Sequence, residues 1–179
     1  MEQMLIRVFQ QQVLLQCRFM LLATNEINAS LVTGDDTRTF YAIQNLLNAA
    51  ANVSKALWGQ GGRLTEERKA LRDSIGIADT SPLRNILIRN DFEHFDERLD
   101  KWWAQSNNHN YMDMSIGPIR TTVSGLSETD IFRGFNPQTG DVMFWDTDFN
   151  LNAVVNEVVG ILPKLETEIL KPHWGNHFG

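Results

Sequence analysis

Apolar residues recur every three or four positions through most of the chain, and glycine, proline and short polar runs interrupt them at a few places. Residues 3 to 29 hold no Pro or Gly, and Leu5, Val8, Phe9, Val13, Phe19, Met20, Ala23 and Ile27 follow a helical spacing. The break TGDD at 33–36 offers an Asp N-cap for a second helix from Thr37 to Trp58. Its apolar stripe is Phe40, Ile43, Leu47, Ala50, Val53 and Leu57, and GQGG at 59–62 ends it. A short third helix starts near Thr65, where Glu66 and Glu67 suit the positive end of the helix dipole, and stops near Gly76.

A fourth helix is expected from TSPLRN to about Gln105, with Ser81 as cap and Pro82 at the first helical position. Ile88, Phe92, Phe95, Leu99 and Trp102 make its buried seam. The period then changes. Residues 111–130 read as a loop with some extended structure, and DIFRGFNPQTGDVMFW reads as two short strands around NPQTG, a hairpin at about 130–146. The last helix starts near Asn150, carries Val154, Val155, Val158, Ile161, Leu162, Leu165 and Ile169, and Pro163 is placed to kink it. The expected fold is mainly α, an up-and-down helical bundle in one domain over 1–179, with a small β-hairpin before the last helix.

Composition narrows the function. With 179 residues, 42% hydrophobic and 21% charged, the chain is long enough for a core and reads as globular. A formal net charge of -6 argues against broad nonspecific binding to nucleic acid, although a local basic patch is compatible with it. Cys17 is the single cysteine and sits in an apolar helical pattern, which points to packing and a reducing compartment. The run VLLQCRFMLLA is interrupted by Gln16 and Arg18 and is too short to span a bilayer. The start of the chain shows neither a basic region nor an obvious cleavage site, so a cytoplasmic protein with no membrane partner is expected.

The chemistry concentrates in LIRNDFEHFDERLDKWW, residues 87–103. On an ideal helix Asp91, His94 and Arg98 share one flank, and Arg89 and His94 diverge by roughly 140°. A second copy of the helix across a two-fold axis would bring that pair together, which predicts a homodimer. The plainer reading is a solvated face of i,i+4 pairs, Arg89 with Glu93 and Glu97 with Lys101, beside an ion-pair cluster of Asp91, His94 and Arg98. On the second helix Gln44, Asn48 and Asn52 form an amide row beside the apolar stripe, either an exposed edge or a row that bonds to another helix. His173 and His177 have metal-compatible spacing but no partner acids or thiols nearby, so no metal or other cofactor is expected. Trp102, Trp103, Trp145 and Trp174 suit either base stacking or anchoring of a core or interface.

RNDFEH, with Arg89, Asn90 and then His94 on a late helix of a bundle, resembles the motif of the HEPN superfamily: Arg, four to six residues, then His, often with a polar residue after the Arg. The resemblance covers the motif and the helix order over about 1–105 plus the last helix. The hairpin and the acidic charge depart from the family's usual pattern. The resemblance implies metal-independent RNA cleavage in active members, through a 2′,3′-cyclic phosphate, with the motif of two subunits lining one cleft. His94 would be the general acid or base, Arg89 the phosphate ligand and Asn90 the positioning group, with Arg98 and Asn48 near the substrate. Other members are noncatalytic and bind a nucleotide or a protein, an antitoxin-type partner among them. An RNA-cleaving enzyme and a noncatalytic binding protein are therefore the two expectations.

Overall fold

Chain-breaking residues set the helix ends. In a computed structural model, which describes residues 1–172, α1 (Gln3–Thr33) ends at Gly34, whose φ of 67° is left-handed. Asp35 then caps α2 (Asp36–Trp58), its Oδ1 accepting from the Arg38 N–H at 2.9 Å. All six predicted core positions of α2 are buried, none more than 3% exposed. Gly59 ends α2, and α3 (Lys69–Ile75) starts later than Thr65 and closes on Gly76 in the left-handed conformation. The last helix, α7 (Leu151–Ile169), carries Pro163 within it and buries Val154, Val158, Ile161 and Leu165.

The buried face of α1 includes Ile6, Gln10, Val13, Cys17, Met20, Ile27 and Ser30, while Leu5, Val8 and Phe19, which follow the same helical spacing, are exposed. The sequence carries apolar residues on two sides of this helix, and hydrophobicity alone does not say which side is covered. The expected fourth helix is not continuous. Ser81 accepts from the Leu83 N–H at 3.3 Å, but the turn it starts is a 3-10 turn over Pro82–Arg84, after which Asn85 is extended. Two helices follow, α4 (Ile88–Glu93) and α5 (Phe95–Gln105), and they meet at His94.

Contacts divide the chain into two compact units. The first holds 1–23, 45–86 and, among the described residues, 154–172. Its core includes Val13, Cys17, Met20, Leu47, Val53, Leu57, Leu71, Ile75, Val158 and Leu165. The buried guanidinium of Arg72 is satisfied by the Leu57 carbonyl at 2.8 Å and by Asp79 Oδ1 at 3.0 Å. Trp58 Nε1 donates to the same Asp79 oxygen at 3.1 Å. Arg7 reaches Gln10 at 2.6 Å and Glu168 at 3.2 Å, and Gln10 donates on to Ser74 at 2.8 Å, which explains Gln10 on the buried α1 face.

The second unit holds 24–44 and 87–153. It contains a four-stranded sheet in the order β1 (Ser115–Ile116), β2 (Gly134–Asn136), β3 (Asp141–Phe144), β4 (Thr147–Asn150). The predicted hairpin is β2–β3, antiparallel with Phe135 opposite Val142, and it is extended by β4 on one side and by the parallel β1 on the other. The segment 111–130, expected as a loop with some extended structure, supplies the extended β1 and also the short α6 (Ile119–Thr122). The chain is thus mainly helical with one small sheet, and no described helix is long and apolar enough to cross a membrane.

Candidate functional site

His94 sits where the helical backbone breaks. Its φ of -97° and ψ of 44° leave the α region, yet its N–H still donates to the Asn90 carbonyl at 2.8 Å and its carbonyl accepts from Arg98 at 3.2 Å. The chain is redirected at His94, where α4 ends and α5 begins, with these two bonds tying the junction residue to both helices. The rings on either side of it share one aromatic layer: Phe92 meets Phe144 at 5.9 Å, Phe95 meets Phe132 at 5.5 Å, and Phe132 meets Phe144 at 5.6 Å. Ring packing onto β3 and its neighbours fixes α4 and α5 separately.

The polar groups pair locally. Glu93 takes Arg89 in a fork, Nη2 to Oε1 at 2.9 Å and Nη1 to Oε2 at 2.5 Å, and Arg89 Nη1 also lies 3.4 Å from Asn90 Oδ1. Arg98 Nε donates to Asp91 Oδ1 at 2.9 Å. His94, half-exposed, holds its Nδ1 3.5 Å from Glu97 Oε1. The expected Arg89–Glu93 pair is present. Asp91 pairs with Arg98 while His94 turns to Glu97. Lys101 lies over the Trp145 ring at 5.0 Å. Asp96, Asp100 and Trp103, spaced four and three apart on α5, are exposed.

Asn48 is exposed on α2, and the next amide of its row, Asn52, donates to Gln16 of α1 at 3.3 Å. His173, His177 and Trp174 lie outside the described residues. Cys17 is fully buried, and burial pushes its thiol up to about 12, which suits packing and not nucleophilic chemistry.

The structure adds His109, Tyr111, Asp113 and Arg133, which the spacing argument did not select, beside Trp102 and Trp103, which it did. At the end of α5, Trp102 meets Tyr111 at 5.5 Å and Phe132 at 5.8 Å, and its Nε1 donates to the Asn110 carbonyl at 3.1 Å. Trp103 stands 66% exposed with its ring 4.2 Å from the His109 ring, and His109 holds a left-handed φ of 50°. Tyr111, 48% exposed, donates to Asp113 at 3.1 Å. Arg133 donates Nε to Asp113 Oδ1 at 2.7 Å and Nη2 to Oδ2. Burial alone would raise the Asp113 carboxyl, but the hydrogen bonds and charge of Arg133, with the Met114 N–H, hold it below the usual carboxylate range. Arg133 reaches Asp113 from 20 residues on, and Phe132 reaches Trp102 from further still, which a helical period cannot reveal. The aromatic richness of 102–111 was the available signal.

No family model matches the chain, and comparison with characterised proteins and with solved structures gives no match. The site must be read from its own geometry.

Proposed function

We infer that the chain is a noncatalytic binding protein whose contact surface is the α4–α5 face with its aromatic ledge, and that the partner is a basic protein surface. The observation that carries this is the distribution of charge. Arg89 and Arg98 are each occupied by a carboxylate of α4, Glu93 and Asp91, while Asp96 and Asp100 are exposed in line with Trp103. An exposed acid row ending in a large ring suits a cationic partner with an apolar anchor point. Tryptophan and tyrosine are favoured at interface centres because one rigid ring covers much area with few lost rotamers. The same charge arrangement disfavours a polyanion, which needs free cations along its path.

The test is affinity purification of the tagged full chain from its source cells, beside Trp103→Ala and Asp96→Asn/Asp100→Asn variants. The reading expects one basic protein with the wild type, released by high salt and lost with both variants. Recovery unchanged by either variant overturns it.

A second reading, metal-independent RNA cleavage of the HEPN kind, keeps one specific observation in its favour. His94 is half-exposed at a helix junction, with Asn90 beside Arg89 one turn earlier. There Arg89 would exchange Glu93 for a phosphate, His94 would take the proton of the 2′-hydroxyl, and a second copy would complete the cleft. That reading is recognised by cleavage that survives a chelator and disappears in His94→Ala.

A further inference from the structure

The exposed face of α1 repeats with the period of a helix–helix seam. Leu5, Val8, Gln12, Leu15, Phe19 and Leu22 recur at spacings of three, four, three, four and three, the heptad pattern of a coiled coil. Every one of them is exposed, the apolar ones from Leu15 at 41% to Leu22 at 65%, and Met4 beside them is 58% exposed. The opposite face, Val13, Cys17 and Met20, is fully buried, so the stripe is surplus to the core of its own unit. A regular helix needs one covered face, and this one carries two.

We propose that this stripe is the interface between two copies of the chain, packed antiparallel about a two-fold axis at Gln12. Area supports a second copy. The five apolar residues of the stripe with Met4 expose roughly 550 Å² per copy, which approaches the roughly 800 Å² per partner of a standard interface once the flanking polar stems are added. Such a patch is at the upper end of what monomers leave open. Charge supports it too. Along the middle of the stripe the polar residues are Gln11, Gln12 and Gln16, neutral amides that leave two identical faces free of like-charge repulsion there. Arg18, the one cation flanking the stripe, is paired with Glu166 at 3.4 Å. A membrane-surface helix is instead rich in Lys and Arg along its polar side. The pattern is also close to symmetric about Gln12. Antiparallel pairing sets Leu5 against Phe19 and Val8 against Leu15, and brings the two Gln12 amides together. A single polar residue at such a seam fixes its register. This interface is independent of the ligand taken by α4–α5.

The test is the mass of the full chain in solution at micromolar concentration, by light scattering, with Leu15→Glu and Leu22→Glu as two separate variants. The wild type should have the mass of two chains, and both variants that of one, with unchanged helical circular dichroism because both sites are exposed. For the arrangement, Gln12→Cys should oxidise to a disulfide-linked dimer, while Leu5→Cys should do so only when mixed with Phe19→Cys. A monomeric wild type, a dimer that survives both variants, or self-linking of Leu5→Cys overturns the proposal. So does wild type that is monomeric in buffer and sediments with anionic vesicles, which would assign the stripe to a lipid surface.

Discussion

Arg98 reaches back over the break at His94 to place its Nε 2.9 Å from Asp91 Oδ1, joining α5 to α4 through one charged hydrogen bond. Both side chains are about a quarter exposed, so water screens the pair only partly. The pair acts as a clasp between two short helices that the backbone leaves at an angle. A double-mutant cycle with Asp91→Asn and Arg98→Gln should give a coupling energy of about 1 kcal/mol by chemical denaturation. Strict additivity of the two variants would remove the clasp.

Asp113 and Arg133 hold the segment before β1 to the segment before β2. A carboxyl kept below its ordinary pKa in the folded chain stabilises the fold above the unfolded value and loses that contribution as pH falls through the folded one. Stability should therefore decline on acidification in the acid range below the unfolded Asp value. Asp113→Asn should flatten this limb and lower neutral-pH stability by about 2 kcal/mol, since it leaves a partly buried Arg133 without its anion. Thermal melts of both proteins across the acid range read the effect, and identical pH profiles would contradict it.

Gly140 closes the β2–β3 turn with a φ of 78°, and a Cβ there would stand 2.2 Å from Asn152 Nδ2. Asn152 can swing outward, but the left-handed backbone remains strained for any other L-residue. Gly140→Ala should lower stability by about 1–2 kcal/mol, read by denaturation. An unchanged midpoint would mean the turn relaxes to another conformation.

Cys17, buried and with its thiol pushed up to about 12, should resist alkylation in the native chain and react only as the chain unfolds. Mass spectrometry after iodoacetamide with and without denaturant gives the comparison. Fast native labelling at neutral pH would contradict the packing assigned to it.

The helices and their ends were legible where a residue type has one physical use. Gly34, Gly59 and Gly76 are left-handed stops, Asp35 is a cap, and the α2 stripe is the buried face, all as their spacing indicates. The face of α1 was not legible, because two apolar stripes compete on one helix and only tertiary contacts choose. The break at His94 was hidden because the seam from Phe92 to Phe95 keeps a helical spacing across it, while the rings seat on Phe144 and Phe132 far along the chain. The candidate site was half legible. Arg89, Asn90, His94 and Arg98 could be picked out by residue type, but their pairing with Glu93, Glu97 and Asp91 decides whether the cations face a ligand, and that pairing is geometry.

The most direct measurement of the central claim uses purified full-length protein with mixed single-stranded RNA and a chelator, beside His94→Ala and Arg89→Lys. Occupied arginines and an outward acid row predict that all three leave the RNA intact and show no salt-sensitive RNA binding. Chelator-resistant cleavage by the wild type that ends in a 2′,3′-cyclic phosphate, and that falls by about 10²-fold or more in His94→Ala, would contradict the binding-protein account and establish the enzyme instead.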